Sequence, residues 1–92
     1  DVLDSGDVIM VSGFTDDTPI KSEIYTNWNL SAERAVNVVK TLISLGFPPE
    51  RLFAAGFGEF HPKVPNTSEE NRKLNRRVEI GVTPIRKMEN VR

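Results

Sequence analysis

Four consecutive apolar residues, Val8, Ile9, Met10 and Val11, lead into Gly13, a long polar stretch and then an amphipathic run. That order constrains the fold more than any other feature. A short continuous run rich in β-branched residues reads as a strand covered on both faces. Residues 31–45 read as a helix: Ala35, Val38, Val39 and Leu42 recur at the i, i+3, i+4, i+7 spacing, and Val36 and Ile43 widen the apolar face. Asn29 or Ser31 supplies the N-terminal cap. Gly46 stops this helix, and Pro48-Pro49 keeps it from resuming. Residues 51–57 then read as a second strand. A strand, a helix and a strand in series imply a right-handed crossover joining parallel strands.

The remaining elements follow from local chemistry. Residues 62–67 form a loop bearing Pro and Asn. Thr67 with Glu70 three residues on is a capping-box pattern, which predicts a short helix over 68–74. Residues 77–83 alternate, with Val78, Ile80 and Val82 on one face and Arg77, Glu79 and Gly81 on the other. This is the pattern of a half-buried strand. Ser5-Gly6-Asp7 reads as a turn, residues 1–7 as the tail of a truncated helix, and residues 84–92 as a frayed polar tail.

The 92 residues make one small domain. The 12 basic and 13 acidic side chains nearly cancel, which argues against a general binder of nucleic acid or anionic membranes. With no Cys, disulfides and thiolate metal sites are excluded. No apolar run reaches the roughly 18 residues of a membrane span.

The stretch with most chemistry is the connection over 13–30. Eighteen residues is long for a strand-to-helix link, and such loops are usually functional when ordered. Ile20, Ile24, Tyr25 and Trp28 favour order, with Trp28 as its anchor. Asp16 stands just past the carboxyl end of the first strand, where ligands of open α/β sheets tend to bind. Arg34 stands in the first turn of the expected helix, where the dipole opposes a cation by roughly 0.3–1 kcal/mol. Two readings stand. In one, Asp16 and Arg34 form a structural salt bridge, or Arg34 simply reaches water. In the other they hold a zwitterion, Asp16 taking an ammonium and the planar Arg34 fork taking a carboxylate.

Other candidates read more simply. Asp16-Asp17 lacks a third ligand at metal-binding spacing. His61, between Phe60 and Pro62, reads as a loop-packing residue. Gly56-Phe57-Gly58 does not open a helix and is not a phosphate loop. Arg72, Lys73, Arg76 and Arg77 read as a solvated helix end, with Asn75 or Arg76 placed to line a site at the helix-to-strand junction. No aromatic stacking partners are interleaved among them, against nucleic acid as a partner.

Gly13-Phe14-Thr15-Asp16, Asn27, Leu30-Ser31, Arg34-Ala35, Gly56-Phe57-Gly58-Glu59, Pro62, Asn66 and Asn75-Arg76-Arg77-Val78-Glu79-Ile80 together resemble the OmpA-like peptidoglycan-binding domain, over residues 8–83. The 15–20 segment and the longer loop to Asn27-Trp28 are similar to the periplasmic domain of the flagellar motor stator B subunit. Porin and lipoprotein members of the family usually have a shorter loop. The resemblance implies an α/β fold of the α+β sandwich kind, with helices packed on a mixed sheet and the family's first strand and helix lacking. It implies a non-enzymatic module that binds the diaminopimelate of the peptidoglycan stem peptide, without cofactor or metal. Asp16 matches the acidic residue that meets the ligand ammonium, and Arg34 the arginine that meets its carboxylate. Thr15, Asn27, Leu30 and Arg76 fall at positions that line the pocket. Phe14 departs from the family, which often has His there. By the same resemblance the partners are peptidoglycan, a stator A subunit reached through an upstream membrane helix, and a second copy in a homodimer. The location is then the periplasmic side of the inner membrane. A porin or lipoprotein tether is the alternative, and a wall-degrading enzyme lacks an evident acid/base pair.

Overall fold

The computed structural model describes residues 6–84. The expectations for residues 1–5 and for the tail beyond Pro84 lie outside the described residues. The elements are β1 (Asp7–Phe14), α1 (Asn27–Ser44), a 3₁₀ turn (Pro49–Arg51), β2 (Leu52–Gly56), α2 (Glu69–Asn75) and β3 (Arg77–Pro84). The three strands form one mixed sheet in the order β2-β1-β3. β1 runs parallel to β2 and antiparallel to β3. The fold is α+β, with the apolar run of β1 at its centre, as the sequence leads one to expect.

Ile9, Val11 and Ala35 are the buried centre of the core, with Val38, Val39, Leu42, Leu52 and Val78 packed around them. The helical stripe read from the sequence therefore lands on the sheet. Val36 and Ile43 lie at its margin and stay over a third exposed. Close approach of α1 to the sheet requires glycine at two places. A Cβ at Gly13 would sit 2.0 Å from the Ser31 carbonyl oxygen, and one at Gly56 would sit 2.7 Å from the Ala32 nitrogen. Those two contacts bring the start of α1 down onto the carboxyl ends of β1 and β2.

Four local expectations are corrected. α1 begins at Asn27, before residue 31, so the connection is residues 15–26. Thr26 is its N-cap residue, and the Asn29 side chain reaches back to accept the Thr26 amide at 2.9 Å. Ser31 is buried inside the helix, where its hydroxyl donates to the Trp28 carbonyl and accepts the Gly58 amide. α2 is capped by Ser68, whose hydroxyl accepts the Asn71 amide at 3.1 Å; Thr67 is one residue too early. β2 is shorter than expected because Arg51 belongs to the preceding turn, with its Nε donating to the Asp7 carbonyl at 2.7 Å.

The fourth correction concerns β3. The register pairs Val82, Ile80 and Val78 with Ile9, Val11 and Gly13, so all six lie on the face that carries α1. Only Val78 joins the core; Ile80 is 57% and Val82 55% exposed. The cause is placement, since α1 packs on β1 and β2. No helix among the described residues is long and apolar enough to cross a membrane.

Candidate functional site

The site is assembled where β1 ends. Because Phe14 pairs with Arg77, the residues just after β1 lie beside those just before β3. Because Gly13 pairs with Gly56, they also lie beside the turn that follows β2. The Thr15 amide donates to the Gly58 carbonyl at 2.9 Å, and the Phe57 amide to the Gly13 carbonyl at 3.0 Å. On the opposite face of the sheet, Phe14 stacks on Phe57 with ring centroids 5.0 Å apart, and the Arg77 guanidinium lies 3.8 Å from the Phe14 ring centre. His61 packs edge-on against Phe57 and serves the loop, as its neighbours imply.

Asp16 is the centre of the arrangement and is only 6% exposed. Its Oδ1 accepts the Thr18 amide at 2.9 Å, which closes a tight turn. Its Oδ2 accepts Arg76 Nη1 at 2.5 Å. Burial pushes this carboxyl up, but the Thr18 amide and the Arg76 guanidinium outweigh it and hold the group below its ordinary range. Arg76 also donates Nη2 to Glu69 at 2.8 Å, so one guanidinium bridges two carboxylates. Thr15, also buried, donates its hydroxyl to the Asp16 carbonyl at 2.8 Å. Asn27 sends its amide nitrogen toward the Asp16 carbonyl, the Thr18 carbonyl and Glu59 Oε1, at 3.4, 3.2 and 3.1 Å.

The structure thus brings Thr15, Asp16, Asn27 and Arg76 into one hydrogen-bonded cluster. Leu30 and Arg34 are not in it. They continue the stripe of α1 that starts at Asn27, at i+3 and i+7. Both are half-buried. Arg34 lies two turns into α1, so the dipole penalty expected of a first-turn cation does not apply. The ion pair that Asp16 makes is with Arg76; among the described residues Arg34 makes no hydrogen bond or ion pair. Its charge acts on Tyr25, whose hydroxyl is raised by loss of hydration and by Glu33 and pulled back by Arg34. A buried acceptor and a cation without a partner among the described residues thus belong to two adjoining elements, the turn after β1 and the half-buried flank of α1.

Several side chains take roles that were not read from the sequence. Asn75 is fully buried and fixes the second loop: its Oδ1 accepts the Lys63 and Val64 amides, and its Nδ2 donates to the Val64 carbonyl and to Asn66. Glu69 and Glu59 hold Arg76 and Asn27. Trp28 lies in the first turn of α1, half-exposed, with its ring 5.2 Å from that of Phe60. It therefore braces the turn after β2; the 15–26 connection is closed by the Thr18, Asn27 and Tyr25 contacts instead.

The OmpA family profile matches residues 2–76. The chain belongs to the OmpA family. Motility protein B of Helicobacter pylori (strain ATCC 700392 / 26695) is 47% identical over 73 residues, which are 78% of this chain and 28% of that protein. The crystallised C-terminal domain of Helicobacter pylori MotB superposes with a TM-score of 0.81 at 43% identity, covering 88% of this chain and 62% of that one. The cell wall anchor of the T6SS from Pseudomonas aeruginosa superposes with a TM-score of 0.72 at 36% identity, covering 84% and 54%. The chain spans under a third of the motility relative. Within the OmpA family, then, it is similar to the MotB C-terminal domain in sequence and in fold.

Proposed function

We propose that this domain binds the diaminopimelate-bearing stem peptide of peptidoglycan, and that it anchors a flagellar motor stator to the cell wall without catalysing a reaction. What supports the reading is the buried Asp16 carboxylate beside Asn27, and an Arg34 that has no partner among the described residues and lies two turns along α1 from Asn27. Asp16 accepts one hydrogen bond at each oxygen. A carboxylate has about four lone-pair sites, so an ammonium has room to join. Arg34 offers its fork to the ligand's carboxylate. Thr15 and Asn27 hold the Asp16 backbone, Leu30 lies between Asn27 and Arg34 on α1, and the Thr18 amide with Arg76 keeps Asp16 ionised.

Each charge-assisted hydrogen bond contributes about 1.5–3 kcal/mol. A single stem is therefore held weakly, and two sites in a homodimer gain by effective concentration. The similarity to MotB supports the stator assignment, a periplasmic location, an inner-membrane attachment through an upstream helix and a stator A partner. The test is co-sedimentation with purified sacculi. Wild type is retained, and Asp16→Ala and Arg34→Ala are each largely lost. Equal retention of all three removes the site assignment.

A further inference from the structure

α2 is joined to the rest of the fold by polar contacts. Its one leucine, Leu74, is 53% exposed, and its one buried residue is Asn75. Two arginines one helical turn apart, Arg72 and Arg76, reach the two adjacent carboxylates that follow β1. Arg76 takes Asp16, and Arg72 Nε donates to Asp17 Oδ1 at 3.1 Å. Arg72 also donates Nη2 to the Asn66 carbonyl at 3.1 Å. One guanidinium thereby ties the 15–18 turn to the second loop.

The two pairs are not equivalent. Asp16 is buried and accepts one hydrogen bond at each oxygen, so an arriving ammonium shares its carboxylate with Arg76 and the Thr18 amide. Once that carboxylate is shared, its hold on Arg76, one of the two ionic tethers between the 15–18 turn and α2, is weakened. The Arg72–Asp17 pair, partly open to solvent at 33% and 44% side-chain exposure, is the tether that stays. An exposed pair adds little to global stability. Its consequence is felt when the other tether is weakened.

We infer that Arg72 and Asp17 are a positioning pair: they hold the turn after β1 against α2 while Asp16 is shared between Arg76 and the ligand's ammonium. This rests on the reading of Asp16 as a ligand contact. A planar fork is required, because Nε and Nη2 serve two different acceptors. Lysine offers a point charge and meets that need only in part.

The test is titration calorimetry of a soluble stem peptide bearing meso-diaminopimelate against wild type, Asp17→Asn, Arg72→Gln, Arg72→Lys and the double Asp17→Asn/Arg72→Gln. Each neutral variant is expected to bind about three- to tenfold more weakly, with an unchanged thermal midpoint. The double binds no more weakly than either single, as partners acting as one unit do. Arg72→Lys recovers part of the loss. Amide exchange at Thr18 separates positioning from a general loosening. In the free variants this amide keeps its protection, because Arg76 still holds Asp16; in the bound variants it loses protection. Wild-type affinity in the neutral variants, or additive losses in the double, overturns the positioning role and leaves the site reading intact. Failure of the wild type to bind the stem peptide overturns the site reading, and this inference with it.

Discussion

Asp16 and Arg76 are 60 positions apart in the chain and 2.5 Å apart in space. The antiparallel register of β1 and β3 makes that contact. Phe14 faces Arg77, so the first turn after one strand meets the last residue of the helix-to-strand junction before the other. The contact adds to the Thr18 amide in holding Asp16 ionised against its burial, and Arg34 is left without a partner among the described residues.

The Asp16 carboxyl is held below its ordinary value, so it binds protons less readily folded than unfolded. Its stabilising contribution is complete above the unfolded-state value of about 3.9 and is lost as pH falls through the lower folded value. Urea midpoints measured from pH 6 downward should decline steeply below about pH 4. Asp16→Asn should be less stable at pH 6 and show a shallower acid decline. An identical acid limb in both proteins contradicts this account of Asp16.

Gly13→Ala should be the most damaging of the small substitutions. The new methyl would meet the Ser31 carbonyl at 2.0 Å, and that backbone cannot move without lifting α1. The expected cost is at the upper end of the ~1–3 kcal/mol of overpacking, read as a fall in the urea midpoint. Gly81→Ala is the control, because a Cβ there meets nothing within 4 Å. Its change should stay within about 0.5 kcal/mol.

Asn75→Ala removes the acceptor of two loop amides and the donor to the Val64 carbonyl, all from a fully buried side chain. Unsatisfied buried groups cost about 1–3 kcal/mol each, so a loss of at least about 2 kcal/mol is expected. Amide exchange at Lys63 and Val64 should quicken most. Uniform acceleration across the domain would show that Asn75 supports the whole fold and has no particular hold on this loop.

Trp28→Ala should loosen the turn after β2. Trp28 packs on Phe60 and lies over Gly58. Exchange of the Gly58 amide, which donates to the Ser31 hydroxyl, should quicken, while the Thr18 amide, held by Asp16, should not change. Faster exchange at Thr18 and unchanged exchange at Gly58 would reverse the assignment.

What the sequence disclosed follows from periodicity. The β1 run, the α1 stripe and the β3 alternation each name the residues that face a neighbour, and Ala35, Val38, Val39, Leu42 and Val78 are in the core. The start of α1 was hidden because Asn27, Trp28 and Asn29 carry no apolar period; only the reciprocal Thr26–Asn29 contact marks it. The alternation of β3 named a face and not its cover, so Ile80 and Val82 read as buried and are exposed. Asp16 was legible from its place after a strand. Its partner was not, since choosing Arg76 requires the strand register, which no local pattern encodes. Asn75 was legible as a candidate to line the site from its place at the helix-to-strand junction; its hold on the second loop was not, since that depends on the fold bringing residues 63–66 against it.

The central claim is that the domain recognises both charges of one ligand centre. The most direct measurement is the calorimetric affinity for two soluble stem peptides, identical except that one bears meso-diaminopimelate and the other lysine, which lacks the second carboxylate. The account predicts at least about tenfold tighter binding of the diaminopimelate peptide, with the difference abolished in Arg34→Ala. Equal affinity of the wild type for the two peptides would contradict it.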